Sequence, residues 1–205
     1  SVHLERTKLL GNGFSLSETT QIFCQAWGVF QKVLPMSDQP VHTVVETIEF
    51  GNLPFQHYFV EKKFTPIVKG FHFEGIDTAH PSPGVMDSIQ QADGIIITPS
   101  NPWVSIDPIL MVPGIRSEIL RKKTVAVSPI ISGVSIKGPA AKIFSELGIN
   151  PSAEAVYRHY SQLLTGYIFD EIDRDSITNI SIPLLTTNTI MNSPQQRVNL
   201  AKSVL

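Results

Sequence analysis

The sequence predicts a Rossmann-like α/β fold: a mostly parallel sheet with helices on both faces, carrying a β-rich, aromatic insert. Three observations predict it. Short apolar runs recur at residues 32–34, 94–98, 124–127, 167–169 and 182–185, and runs of this length suit strands buried on both faces. Segments with helix-start signals alternate with those runs, as in a layered α/β protein. Residues 41–73 break the alternation with two β-rich stretches around Phe55, Tyr58 and Phe59, which reads as an inserted subdomain or lid.

Taken in order, Ser15-Leu16-Ser17-Glu18 is a capping box. Ile22, Phe23, Ala26 and Trp27 follow at helical spacing, and Gly28 ends the helix. Residues 32–34 supply the first strand. In the insert, Thr43-Val44-Val45-Glu46-Thr47 and Ile67-Val68-Lys69-Gly70-Phe71 are the strand candidates. Ser82-Pro83, Asp107-Pro108, Asn150-Pro151 and Ser193-Pro194 each pair a capping residue with proline and mark four helix starts. The last has Gln196 three residues after Ser193, again a capping box. Arg121-Lys122-Lys123 reads as the solvated end of a helix. The whole of 1–205 reads as one Rossmann-like domain. With Ser at position 1 and no signal-peptide pattern, the chain is expected to begin inside a longer parent sequence that supplies the usual amino-terminal segment.

Composition narrows the function. Sixteen Lys and Arg against 18 Asp and Glu give a net charge of −2, which excludes a nucleic-acid binder that works by bulk charge. A hydrophobic fraction of 42% with 17% charged residues excludes disorder as the main state. The single cysteine, Cys24, cannot form an internal disulfide and favours a reducing cytoplasm. No apolar run has the length of a membrane span.

Chemistry is expected beyond the carboxyl ends of the strands, where open α/β sheets bind ligands. The loops there, at residues 35–38, 99–102, 128–133, 170–173 and 186–189, form a rim rich in small hydroxyl and amide side chains. Such a rim suits a nucleotide held by directional hydrogen bonds, with metal or helix N-termini meeting its phosphates. Asn101 is equally a ligand contact or a turn cap before Pro102. Lys137-Gly138-Pro139 stands where a helix start would attract an anion, or is an ordinary surface lysine beside a helix. Magnesium between phosphate oxygens needs one or two carboxylates. Asp107 can be explained as a cap, and Asp170 and Asp173 as partners of Arg174, whereas Asp38 has no local helix to cap and is the first choice. The six histidines show no HExxH spacing, and neither a GxGxxG nor a Walker loop is present. Ser128 lacks a GxSxG elbow. Asp38, Asn101 and Ser128 are expected to open onto one cleft.

Taken together, LPMSDQPVHTVVET, LPFQHYFV, PSNPWVSIDPILMVPGIR, VAVSPIISGVSIKGPAAK, AVYRHY and TTNTIM resemble the 2-phospho-L-lactate transferases of coenzyme F-420 biosynthesis, over nearly the whole chain. The resemblance implies transfer of a phospholactyl or phosphoenolpyruvyl group from a guanosine-diphosphate-linked donor to the ribityl hydroxyl of a deazaflavin, with release of GMP. It implies magnesium dependence and a homodimer. It implies that Met36, Ser37, Ser100, Asn101, Pro102, Ser128, Pro129, Lys137 and Gly138 bind substrate, and that Asp38 lies at the reacting centre as catalytic residue and metal ligand. Family members also carry a glycine-rich first strand-loop and an acidic, arginine-containing loop that contacts the deazaflavin, and neither stands in these 205 residues. Gln39 replaces a frequent second Asp, and Asp107 a usual Gly. The competing readings are a nucleotide-sugar-binding regulator of the same superfamily and an inactive fragment.

Overall fold

The computed structural model describes residues 1–136, 138–178 and 180–205. Two helices open the chain, α1 (Val2–Gly11) and α2 (Leu16–Ala26). The capping box is present: Glu18 N donates to Ser15 Oγ at 3.1 Å and Ser15 N to Glu18 Oε2 at 2.7 Å. Gly28 turns at φ +65, so that Val29 N reaches Cys24 O at 2.8 Å and closes the helix. Residues 32–34 form no strand; the segment has no neighbouring strand to pair with, and Val33 is 51% exposed.

The insert is an antiparallel sheet of β1 (His42–Thr47), β2 (Gly51–Pro54) and β3 (Val68–Glu74), with strand order β2-β1-β3. A π-helical turn, His57–Glu61, joins β2 to β3. The layered part follows: α3 (Val85–Gln91), β4 (Gly94–Ile97), α4 (Asp107–Met111), α5 (Ile115–Ile119), β5 (Lys123–Val127), the hairpin β6 (Ile130–Ile131) and β7 (Val134–Ser135), α6 (Ala140–Glu146), α7 (Ala153–Tyr160), β8 (Gly166–Asp170), β9 (Leu184–Thr187) and α8 (Pro194–Val204). Strands β4-β5-β8-β9 form one parallel sheet in that order.

The twofold alternation of strand side chains puts helices on both faces. Ala126, Tyr167 and Phe169 join a cluster with Leu110, Ile115, Ile119, Phe144, Val156 and Tyr160, whereas Val127 and Ile168 pack against Leu200 of α8 on the other side. Of the four parallel strands only β8 is buried throughout; the edge strands β4 and β9 expose Ile96, Leu184 and Leu185. Strand β9 begins at Leu184, not at Ile182, after Pro183.

Proline marks the helix starts less exactly than expected. Ser193 is a true cap with its box completed by Gln196. Helix α7 is capped by Ser152, two residues after Asn150, and α3 starts after Gly84, because the Ser82 hydroxyl donates instead to Pro35 O. Asp107 is the first residue of α4 and makes no capping bond; its carboxylate meets His159 Nε2 at 2.8 Å. Lys122 is not merely solvated, since its Nζ donates to Ala92 O at 2.9 Å at the end of α3.

The insert docks on α6. Val45, Tyr58 and Val68 bury themselves with Ile143. Val68 N donates to Glu146 Oε2 at 3.0 Å, Lys142 Nζ donates to Pro66 O at 2.9 Å, and Lys142 pairs with Glu146. Tyr58 is fully buried, and its hydroxyl has no hydrogen-bond partner. Burial first, then the Glu146 charge, raises its pKa from 10.0 to about 12. Tyr160 and Tyr167 are raised as well, mainly by burial. Folded protein thus keeps phenol protons that the unfolded chain releases above pH 10, so the tyrosines' contribution to stability falls as pH rises through that window and is constant below it. Urea midpoints from pH 8 to 11 check this. Tyr58→Phe should flatten part of the slope and, by removing an unpaired buried hydroxyl, stabilise the protein by about 1 kcal/mol at pH 8.

Candidate active site

A cleft of about 420 Å³ opens beyond the carboxyl ends of β4, β5 and β9. Its walls come from four places: Pro99 to Asn101 with Val104 and Ser105, the 128–131 turn, Ile136 with Gly138 to Ala140 at the start of α6, and Thr189 to Asn192. Phe55 and Phe59 of the insert close the remaining side. No charged side chain stands on this wall among the described residues.

Asn101 is the most informative residue here. It caps the π-helical turn Pro102–Ile106, and its Oδ1 accepts from Trp103 N at 3.1 Å and from Val104 N at 3.4 Å. Two donors converging on one atom fix that atom as the oxygen, so Nδ2 points the other way. Nδ2 is buried and has no partner. Of the two roles open in the sequence, the structure shows the turn cap, made by one end of the amide; the other end makes no bond. Trp103 holds the turn from behind, edge-on to Phe144 at 4.4 Å and to His159 at 5.3 Å.

Ser128 is 2% exposed and spends its hydroxyl locally, donating to Ile130 O at 2.9 Å and accepting from Ile130 N at 3.1 Å. It shapes the wall through its backbone. Gly138 sits at φ +71, a region that a side chain at this position would strain.

Two acids behind the cleft carry its shape. Asp170 is 1% exposed; Oδ1 accepts from Ile172 N at 3.1 Å, while Oδ2 accepts from Thr189 N at 2.8 Å and Thr189 Oγ1 at 3.0 Å. Asp173 is 7% exposed, and both of its oxygens accept from Ser132 N, at 3.1 and 3.0 Å. One acid holds the 189–192 wall and the other holds the hairpin that follows Ser128. Neither pairs with Arg174, which donates to Thr186 Oγ1 at 3.0 Å. A carboxylate ending a strand as apolar as Tyr167 to Phe169 has to be met by donors, and that signal was available in the sequence.

The structure brings Ser100, Asn101, Ser128, Pro129 and Gly138 to one cleft. Pro102 is buried beneath it. Lys137 lies outside the described residues. Met36, Ser37 and Asp38 do not stand on the wall. Met36 packs against the main core, and Ser37 is buried and bridged to Pro81. Asp38 does cap a helix: its Oδ1 accepts from Ser17 N at 2.7 Å, in the first turn of α2 and 21 residues away. No group of three or more His, Cys, Asp or Glu side chains is placed to hold a metal among the described residues. Among them too, no helix is long and apolar enough to cross a membrane.

Fold and cleft define a Rossmann-like α/β protein whose candidate site lies at the carboxyl ends of a parallel sheet. Two crystal structures of a UPF0052-family protein from Bacillus halodurans share the fold, with TM-scores of 0.62 and 0.65 at 16% and 15% identity, over 96% and 98% of this chain and 68% and 69% of theirs. The sequence profile of the family described as 2-phospho-L-lactate transferase CofD matches residues 1–190, and the chain belongs to that family. It is 35% identical to the 2-phospho-L-lactate transferase of Methanosarcina mazei over 100% of its own length and 68% of the relative's. It is 36% identical to the phosphoenolpyruvate transferase of Thermobifida fusca, over 98% and 63%. The chain thus spans about two thirds of the length of these relatives.

Proposed function

We propose that the protein is a transferase of coenzyme F-420 biosynthesis that moves a phospholactyl or phosphoenolpyruvyl group from a guanosine-diphosphate-linked donor to the ribityl hydroxyl of a deazaflavin. Family membership supports the transferase class. The observation that carries the rest is the unpartnered Nδ2 of Asn101, a donor buried in the wall of a strand-end cleft, which meets an acceptor such as a phosphoryl oxygen when ligand binding shifts the side chain or its cover. In the reaction, the acceptor hydroxyl oxygen bonds to the phosphorus bearing the lactyl or enolpyruvyl group. The bond from that phosphorus to the bridging oxygen breaks, GMP leaves with that oxygen and its electron pair, and the hydroxyl proton passes to water. Positioning and charge compensation dominate such a step.

The proposal includes magnesium. Among the described residues the wall has no charged side chain, so a diphosphate there draws on compensation beyond their hydrogen bonds. Magnesium held by phosphate oxygens, water and one or two carboxylates would polarise the phosphoryl oxygens. The described residues fit a cation that arrives with the donor better than a resident one caged by protein. Asp38 is the carboxylate proposed to assist; it stands off the wall with one oxygen on Ser17 N, so it reaches such a cation only by moving from its present place.

The test follows GMP release by the purified protein with donor and deazaflavin. Release is expected only with both substrates, is lost with chelator and returns with magnesium. Absence of release with either donor overturns the transfer reading, and undiminished turnover in verified metal-free solution overturns the magnesium reading.

A further inference from the structure

One wall of the cleft differs in kind from the others. Phe55 and Phe59 stand on it, their ring centroids 5.5 Å apart and nearly parallel at 18°. Phe64 continues the stack from Phe59 at 5.7 Å and 29°. The offset leaves ring surface uncovered: Phe59 is 36% and Phe64 38% exposed. Single exposed apolar residues need no explanation. A stack of three, with two of its rings on the wall of a cleft whose other walls offer amides and hydroxyls, does.

The backbone is bent to build this stack. The π-helical turn His57–Glu61 carries Phe59, and such turns gather at functional sites. Lys63 and Phe64 then adopt φ of +49 and +48, two successive non-glycine residues in the left-handed region. The turn closes with Phe64 N donating to Tyr58 O at 2.9 Å. Strain held where the rest of the structure over-determines it, as the buried Tyr58 does here, is characteristic of ligand clamps. Phe55 is rooted in the cluster of Val45, Tyr58 and Val68, so the stack stands on a fixed base.

We infer that Phe55 and Phe59 form a stacking platform for a flat aromatic heterocycle of the bound substrate. This rests on the transfer reading above and adds what the aromatic wall recognises. The polar rim holds the oxygen-rich part of a ligand, and the rings hold its planar part; aromatic faces attract planar π-systems in offset or edge-on geometry. Both substrates of the proposed reaction contain such a heterocycle, guanine in the donor and the deazaflavin tricycle in the acceptor.

The experiment measures binding of GDP by calorimetry and of a 5-deazaflavin by fluorescence, for wild type, Phe59→Ala, Phe59→Leu and Phe59→Trp. Phe59 is exposed, so folding, checked by circular dichroism and melting, should be unchanged; Phe55 is left intact because it supports the core. The Ala and Leu variants are expected to weaken one ligand by about tenfold or more, and Trp to bind within about threefold of wild type. Loss confined to the deazaflavin assigns the platform to the acceptor, and loss confined to GDP assigns it to the guanine. Equal binding of both ligands by wild type, Ala and Leu overturns the platform and leaves the transfer reading standing. Loss in Trp as large as in Ala also overturns stacking. Wild type binding neither ligand overturns both readings.

Discussion

Asp170→Ala is expected to destabilise the protein by about 3–5 kcal/mol, because two backbone amides and a hydroxyl lose their acceptor at a buried site and each orphaned donor costs about 1–3 kcal/mol. Water entering the vacated space recovers part of that cost. Against a typical stability of about 5–15 kcal/mol, the loss is large enough to unfold a marginal domain. Thr189→Ala removes only the hydroxyl contact and should cost about 1 kcal/mol. Urea midpoints with unchanged slopes separate the cases. A loss below about 1 kcal/mol for Asp170→Ala would show that the 189–192 wall does not depend on this carboxylate.

Asn101→Asp should reduce GDP affinity about 100-fold or more in a protein that still folds, with some loss of melting temperature because the new carboxylate oxygen is buried without a partner. Aspartate and asparagine cap equally well, so the bonds to Trp103 N and Val104 N survive. The other end of the side chain changes from donor to anion. A hydrogen bond to a charged group, worth about 1.5–3 kcal/mol, is lost, and repulsion of the diphosphate adds to the loss. Calorimetric titration at fixed salt and magnesium gives the answer. Wild-type affinity in a normally folded variant would remove Asn101 Nδ2 from the donor site.

What the sequence made legible follows from how far each signal reaches. The central strands announced themselves because Ile95 to Ile97, Val125 to Val127 and Tyr167 to Phe169 are apolar on both faces, and the boxes at Ser15 and Ser193 because capping is complete within four residues. The aromatic insert was visible as a break in the alternation. Contacts across long separations were not. Nothing beside Asp38 announces the helix it caps, whose Ser17 lies 21 residues earlier; near Asp170 and Asp173 the sequence offers Arg174, whereas the donors from Thr189 and Ser132 lie 19 and 41 residues away. The run at 32–34 looked like a strand because hydropathy alone does not supply a pairing partner. The strand-end rim was legible as a set of loops, but which of them meet in a cleft depends on the sheet order.

One consequence concerns where the instructions for the cleft are written. Asp173 grips the Ser132 amide, and Asp170 grips the Thr189 amide together with one hydroxyl. An amide is common to every residue except proline. Neither loop can accept proline at 132 or 189, and the hairpin carries a further restriction, since Ser132 at φ +49 and Gly133 at φ +75 disfavour bulky and β-branched side chains. Information about the shape of one segment is stored in another, at and just after the end of β8, so the 189 loop is freer than the hairpin to vary in chemistry without varying in place.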